Sequence, residues 1–215
     1  MSDAPQERIY LSSVCAVFRK TDERYGGLSN MAPGFPLVVN QVRIWTAEAL
    51  YQSCRFPSAP KVQEIIIAER SPMTGKMKSK KFRNLSRPDW DDVRVRIMRW
   101  CLRVKLAQNW NRFGELLLMT GEMPIVEDSS KDKYWGAKRD DQGRLVGSNV
   151  LGRLLMELRE ELRNDRSDAL KQINPPQIPN FLLLGGKIGI VGVINSMDSM
   201  AARHPMLRFP PSHFK

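Results

Sequence analysis

Apolar residues recur every three or four positions along one long stretch of the chain. It runs from Asp89 to about Asn109, after a proline that announces a helix start. Its apolar positions are Trp90, Val93, Ile97, Trp100, Cys101 and Val104. Arginines fall between these positions, on the opposite side. The spacing therefore predicts the longest helix of the protein, with one buried face and one mostly cationic face.

Shorter helices are predicted from the same periodicity. Thr46 and Asn149 are the expected N-caps of two of them, because their side chains can accept a hydrogen bond from the first turn. The expected helical bounds are 46–54, 61–70, 113–119 and 149–163. Residues 73–81 fit either a short helix or a basic loop, and both interpretations stay open.

Strands are expected at three places. Ile9 to Arg19 mixes β-branched and small apolar residues and indicates an opening strand. Leu37 to Ile44 predicts a hairpin with Asn40 and Gln41 at its turn, and Ile125 to Glu127 predicts a short strand.

Charge indicates the kind of partner. The chain of 215 residues carries a formal net charge of +11. Residues 61–105 hold thirteen Lys and Arg against five acids. This block favours a partner that carries phosphate, either a small molecule or DNA or RNA. The alternative for any single lysine in it is an ordinary solvated surface position. The length suits one domain with an appendage.

Cysteine and histidine usage narrows the chemistry. The three cysteines form no CxxC pair and have no histidine nearby, so we expect a reducing compartment and no metal site. The only histidines, His204 and His213, are close to the C-terminus, which excludes a histidine-activated nucleophile in the main domain. The N-terminus lacks signal-peptide character, and the apolar run 181–194 is broken by glycines. We expect a cytoplasmic protein without membrane contact.

Residues 131–159 combine features of a ligand site. Asp132 comes three residues before Trp135, a polar loop follows, and Asn149 then opens an amphipathic helix. Backbone N–H groups at a helix N-terminus can receive an anion. An acid, a flat aromatic ring and an anion seat together suit a phosphorylated ligand with a ring. The alternative is a capped surface helix behind a loop with a packed tryptophan.

The motifs of this stretch resemble those of a known family. Asp132-x-x-Trp135-Gly136, followed by Asn149-x-Leu151-Gly152 and Leu155-Met156-x-x-Arg159, is similar to the C-terminal signature of the NADAR (YbiA-like) family. Upstream, GLSNM at 27–31 resembles the family's G-x-LSNF element, and WTAEALYQ at 45–52 its W-x-S/T-A/S-E-H-x-Y/F-Q element. Further elements follow in the family's order at 71–73, 98–105 and 119–127. The resemblance covers about residues 18–162.

The resemblance implies an α+β fold, mostly helical with a small β-sheet. It also implies an N-glycosidase that hydrolyses the bond between a ribose and a base and needs no cofactor. The family's substrate classes are phosphorylated riboflavin intermediates and ADP-ribose attached to guanine in nucleic acid. We expect residues 1–165 to form this domain, 166–180 to form a proline-containing linker, and 181–215 to be an extension of unknown role.

Three residues are the expected catalytic groups. Glu48 matches the family's helix-borne glutamate and would transfer a proton or stabilise the sugar cation. Asp132 would be the second carboxyl. Lys76 is the first choice for a lysine that forms a Schiff base at C1′, with Lys78 and Lys80 as alternative register matches.

Other matching positions are expected to bind substrate. These are Asn30, Trp45, Gln52, Lys105, Trp135, Gly136 and Asn149. Glu127 matches a family V-E pair, but a structural role for it is the favoured interpretation. The chain departs from the family at Ala49, Arg55 and residues 137–139, which leaves the choice of substrate open. The main alternative function is a non-catalytic module on the same fold that binds ADP-ribose or nucleic acid; the oligomeric state is not predicted.

Overall fold

The computed structural model describes residues 6–194. Its α-helices are α1 (Ala47–Ser53), α2 (Pro60–Ala68), α3 (Pro72–Lys80), α4 (Trp90–Gln108), α5 (Trp110–Leu118) and α6 (Val150–Asn164). Its strands are β1 (Arg8–Tyr10), β2 (Ala16–Phe18), β3 (Leu37–Val39), β4 (Val42–Ile44), β5 (Ile125–Glu127), β6 (Lys138–Arg139), β7 (Leu145–Gly147), β8 (Gln172–Ile173), β9 (Leu182–Leu183), β10 (Gly186–Lys187) and β11 (Val191–Gly192). The histidines and the end of the predicted extension lie outside the described residues.

Helix α4 is the centre of the core. Its apolar face is buried as the periodicity predicts, with Ile97, Cys101 and Val104 fully inaccessible to water. Part of its cationic face meets α6, where Arg99 and Arg103 pair with Glu157 and Glu161 at 2.9 and 2.5 Å. Burial on one side and ion pairs on the other fix the position of α4.

The strands form small separate sheets. β2 and β5 pair in parallel, with Ala16 opposite Ile125, and β1, β7 and β6 form an antiparallel sheet. The single opening strand predicted over residues 9–19 is wrong. A 3-10 turn at Ser12–Val14 divides it, so that β1 and β2 join different sheets. The α+β class is confirmed.

Local signals set several boundaries. The Thr46 hydroxyl accepts a hydrogen bond from the Ala49 amide at 3.2 Å, which confirms it as the N-cap of α1. Asn40 and Gln41 both have positive φ, as the tight turn of the β3–β4 hairpin requires. The open question at 73–81 is resolved as helix α3, which Ser71 caps through the Thr74 amide.

Residues 166–194 pack on the same core as the rest of the chain. Leu170, Ile173 and Ile178 belong to the main cluster of buried side chains. The carbonyl of Pro179 accepts a hydrogen bond from buried Arg87, and Gln63 bonds the backbone of the β9 region. A hydrogen bond to its backbone thus holds the proline-containing segment against the rest of the protein. Residues before and after 165 contribute to the same core.

Among residues 6–194, no helix is both long enough and apolar enough to cross a membrane.

Candidate active site

A cleft of about 790 Å³ opens between α1, α3, the start of α4 and the loop that follows β5. Six of the expected site residues line it: Asn30, Glu48, Gln52, Lys76, Asp132 and Trp135. They come from four separate parts of the chain: the loop before β3, α1 itself, α3 and the loop after β5. The tertiary fold therefore brings together most of the residues that the family motifs select.

Glu48 occupies the first turn of α1 and is almost fully buried. Its backbone amide donates to the carbonyl of Asn30 at 3.0 Å, which ties the helix start to the preceding loop. Its Oε1 accepts from Gln52 Nε2 at 3.0 Å, one turn later. The same oxygen lies 3.6 Å from the Lys76 ammonium. Glu48 is therefore oriented by its own helix and paired with a cation from α3.

Helix α3 closes one wall of the cleft through a second set of bonds. The Ser79 hydroxyl lies 3.2 Å from Gln52 Oε1 and 2.7 Å from the Lys76 carbonyl. Gln52 thus bridges α1 and α3, because its amide nitrogen holds Glu48 while its oxygen meets Ser79. This bridge sets the distance between Glu48 and Lys76.

Glu127, at the end of β5, is a cleft carboxyl with a raised pKa. Burial, followed by the negative charge of Glu48, raises its pKa from 4.5 to about 7, and the charge of Lys76 partly opposes this. Its backbone is fixed on both sides, because its amide donates to Asn149 and its carbonyl accepts from Ala137. A carboxyl with a pKa near 7 can deliver a proton at neutral pH.

The sequence-based preference for a structural role at Glu127 overlooked this environment. The sequence signal that pointed to Glu127 was its match to the family's V-E pair. Its meaning depended on the neighbouring carboxylates, which come from α1 and from the loop at Asp132.

Asp132 shapes the loop that forms the opposite wall. Its Oδ1 accepts from the backbone amides of Tyr134 and Trp135 at 3.0 and 2.9 Å. Its other oxygen, Oδ2, accepts no hydrogen bond from the backbone amides of this loop. Asp132 therefore both fixes the loop and presents negative charge to the cleft.

Aromatic rings cover one end of the cleft. The Tyr51 ring is 5.6 Å from Trp135 and 5.0 Å from Trp90, and Tyr134 meets Trp135 edge to face at 5.3 Å. Burial, and secondarily the charge of Glu48, raises the pKa of Tyr51, so its hydroxyl stays protonated. These rings offer a flat apolar surface for a base.

Asn30 faces the cleft with an unused acceptor. Its Nδ2 contacts the sulfur of Met98 at 2.6 Å, while its buried Oδ1 has no hydrogen-bond partner. A buried carbonyl oxygen without a donor is unfavourable.

The predicted anion seat at the start of α6 is wrong. The amides of Asn149, Val150 and Leu151 donate to the carbonyls of Gly136, Tyr134 and Trp135. The loop itself therefore occupies the N–H groups that were expected to receive an anion.

Asn149 has a different role from the expected one. It has left-handed backbone geometry and caps no helix amide with its side chain. Its side chain accepts from the Glu127 amide and donates to the Ile125 carbonyl at 2.8 Å. Asn149 thus fastens β5 to α6 and positions Glu127 without lining the cleft.

Three other expected binding residues also lie outside the cleft lining. Lys105 is completely buried and donates to the carbonyls of Gly27 and Ser29 at 2.7 and 2.9 Å. Burial lowers its pKa, while these carbonyls and two aromatic faces favour its charged form. Trp45 stacks against two arginines. Gly136 is required by packing, because a Cβ there would lie 2.6 Å from the Glu127 carbonyl oxygen.

The cleft has an excess of positive charge. Its basic residues are Arg19, Arg55, Lys76, Lys80, Arg83, Arg94, Lys131 and Lys133. Its acids are Glu48, Glu127, Asp128 and Asp132. Glu48 lies beside Lys76, and Asp128 pairs with Arg139. Arg55 and Arg83 remain without a carboxylate partner among the described residues and can therefore meet an anionic ligand. Residues 6–194 contain no cluster of side chains suited to a metal ion.

A smaller depression of about 380 Å³ lies between α4, the end of α6 and residues 169–174. Its arginine and glutamate, Arg103 and Glu161, pair with each other. Asp165 accepts from the amides of Ala169 and Leu170. These charged groups already have partners within the protein, so the larger cleft is the candidate active site.

Comparison with known proteins agrees with this geometry. A family model described as the NADAR domain matches residues 17–163. The chain belongs to the NADAR family. The predicted resemblance is thereby confirmed, and the match includes every residue of the cleft described above.

Relatives within the NADAR family carry enzyme names. The chain is 36% identical to the N-glycosidase YbiA of Escherichia coli over 67% of this chain and 86% of that protein. The solved NMR structure of E. coli YbiA matches with a TM-score of 0.59 and 32% identity, covering 71% of this chain and 87% of that one. These matches confirm the predicted fold and the predicted enzyme class, N-glycosidase.

A longer relative extends the comparison. The chain is 31% identical over 89% of its length to a protein of Vibrio vulnificus named as a riboflavin biosynthesis protein. The chain spans about half, 53%, of that relative.

Proposed function

We propose that this NADAR protein hydrolyses the N-glycosidic bond of a phosphorylated or ADP-ribosyl ribose attached to a base. The observation that carries the proposal is the meeting of Glu48, Glu127 and Asp132 with Lys76 in one cationic cleft. The raised pKa of Glu127, about 7, suits a carboxyl that acts as a general acid. The names of the relatives support the reaction class, and the surplus of cations supports a phosphorylated substrate.

Glu127 acts as the acid in this mechanism. With a pKa of about 7, it is protonated often enough at neutral pH to give a proton to the departing base. The bond from C1′ to the base nitrogen breaks, and its electron pair stays with the base. Asp132 places negative charge near the sugar, where positive charge develops.

Lys76 is the nucleophile. Its proximity to Glu48, at 3.6 Å, matches a nucleophile beside its base. Glu48 takes a proton from the ammonium, and the amine nitrogen bonds to C1′ as the base leaves. The nitrogen bonded to C1′ passes a proton to the ring oxygen as the C1′–O bond breaks, which opens the sugar ring and leaves a protonated imine at C1′. Water then hydrolyses the imine, which frees the ribose and restores the amine.

The substrate class is decided by two parallel incubations. The purified protein should release free base from a phosphorylated riboflavin intermediate, or free ADP-ribose from DNA in which a guanine carries ADP-ribose. Release from neither substrate at high enzyme concentration would reject the proposed activity.

Lys76→Arg tests the covalent step. Arginine keeps the positive charge near Glu48 but forms no Schiff base, so turnover should be lost. Cyanoborohydride should link substrate to the wild-type protein at Lys76 and leave the Lys76→Arg protein unlabelled. Normal turnover by Lys76→Arg would show that Glu48 stabilises the sugar cation without a covalent intermediate.

The basic segment 61–105 serves more than one role in the structure. Lys76, Lys80 and Arg83 reach the cleft, whereas Arg99 pairs with α6. A nucleic-acid substrate would therefore meet cations at the cleft mouth. Binding of ADP-ribosylated DNA should weaken steeply with salt if these contacts form.

A further inference from the structure

Two arginines that line the cleft are stacked on aromatic rings. The guanidinium carbon of Arg55 lies 5.2 Å from the Trp90 ring centre, and that of Arg94 lies 4.0 Å from the Tyr134 ring centre. Arg55 Nε also donates to the Ser86 hydroxyl at 2.8 Å. Stacking holds the planar group in place and leaves its N–H edges free to bind an anion.

These arginines and Arg83 lack effective counterions. Within residues 6–194, no carboxylate forms an ion pair with Arg55 or Arg83. Among the described residues, Arg94 pairs only with the highly exposed carboxylate of Asp91, with 3.5 Å between Arg94 Nε and Asp91 Oδ1. Its buried Nε has no hydrogen-bond partner. An exposed pair of this kind contributes little, so the three cations are poorly neutralised by the protein.

The lysines near the cleft differ in this respect. Lys76 is paired with Glu48, and Lys133 is 3.6 Å from Glu7. Lys131 and Lys80 are exposed and stack on no ring. Among these cleft cations, Arg55 and Arg94 are therefore the ones held by ring contacts.

The arginines also repel one another. Burial lowers the pKa of Arg55, and the nearby charges of Arg83 and Arg94 lower it further. A bound anion would remove this repulsion and accept charge-assisted hydrogen bonds from several guanidinium groups.

We propose that Arg55, Arg83 and Arg94 form the site for the terminal phosphate of the ribosyl substrate. Arg55 follows Glu48 by seven residues, in the turn just beyond the end of α1, a separation of about 10 Å if the helical rise continued. A ribose with its terminal phosphate can bridge from the carboxyls to the arginines. This inference rests on the proposed function and adds the place and the chemistry of phosphate recognition.

Calorimetry with ribose 5-phosphate and with ADP-ribose tests the site, with unphosphorylated ribose as the reference ligand. The variants are Arg83→Gln and Arg94→Gln. Arg96→Gln is the matched control, because Arg96 is exposed on the same helix as Arg94 and lies outside the cleft lining. Each variant removes one positive charge, so a general charge effect would appear equally in all three.

We expect Arg83→Gln and Arg94→Gln each to weaken binding of a phosphorylated ligand roughly tenfold or more. Arg96→Gln should change it by less than about twofold, since salt screens a remote charge. A tighter complex with ribose 5-phosphate indicates a monoester substrate, and one with ADP-ribose a diphosphate substrate.

Three results would overturn the site: no phosphate-dependent binding to the wild-type protein, unchanged binding by Arg83→Gln, or an equal loss in Arg96→Gln. Arg83 is exposed, so its variant decides the matter even if Arg94→Gln unfolds. Phosphate binding without turnover of any substrate would reject the proposed function and retain the site. Turnover with unchanged phosphate binding in the variants would reject the site alone.

Discussion

Replacement of Glu127 by glutamine should raise the stability of the protein and lower its activity. The folded protein holds the pKa of Glu127 at about 7, whereas its ordinary value is 4.5. Between these values the native state keeps the proton that the unfolded chain releases. Stability conferred by this group is therefore present at low pH and is lost as pH rises toward about 7.

The size of the effect follows from the shift. A difference of about 2.5 pKa units corresponds to roughly 3 kcal/mol that the ionised carboxylate costs the folded state above neutral pH. Glutamine has nearly the same shape and no charge, so Glu127→Gln avoids this cost. The gain in unfolding free energy over wild type should grow by about 2 kcal/mol between about pH 5 and about pH 8.

Activity should move in the opposite direction. Glutamine cannot donate a proton, so turnover should fall by about a hundred- to ten-thousandfold. The wild-type rate should decline as pH rises above about 7, where Glu127 loses its proton, and the variant should lack this decline.

Denaturant unfolding at two pH values and turnover, measured on one preparation, check both effects. A pH-independent stability difference would refute the assigned pKa. Unchanged turnover by Glu127→Gln would refute its role as the acid. A loss of stability at alkaline pH would show that the carboxylate makes a favourable contact that the burial argument does not include.

Other residues give separate tests. Asp132→Asn should shift the alkaline decline in rate to lower pH, because burial and the surrounding carboxylates, Asp132 among them, raise the pKa of Glu127; a pH–rate profile measures this, and an unmoved profile contradicts it. Lys105→Met should lower the unfolding free energy by about 3 kcal/mol, since two buried carbonyl oxygens lose their donor, whereas exposed Lys131→Met should change it by less than about 0.5 kcal/mol. Asn149→Ala should cost about 2 kcal/mol through two lost hydrogen bonds; equal denaturation midpoints would argue against that role.

The sequence alone predicted the local elements with strong signals. The apolar period placed α4 within a residue or two, and Thr46 marked the start of α1. The Asn40–Gln41 turn was also predicted, because few residues tolerate positive φ. The sequence could not show that residues 9–19 divide between two sheets, because the partners of a strand are distant in sequence. Periodicity describes only one segment at a time.

Much of the candidate site could also be selected from the sequence. The family motifs named Glu48, Lys76 and Asp132, and the fold places all three in one cleft. The motifs did not distinguish residues that line the cleft from those that support it. Lys105 and Asn149 occur in the same motifs, yet their side chains are fully used by backbone groups.

Only the tertiary structure gave Glu127 its chemical character. A glutamate at the end of a short strand is ordinary in sequence, because its pKa depends on burial and on charges nearby. Those charges come from α1 and from the loop at Asp132. The same holds for Arg55 and Arg94, whose distance along the chain does not reveal that they stack on the rings of Trp90 and Tyr134 in one cleft. Residue type and period are local properties, whereas electrostatics and burial arise when distant segments meet.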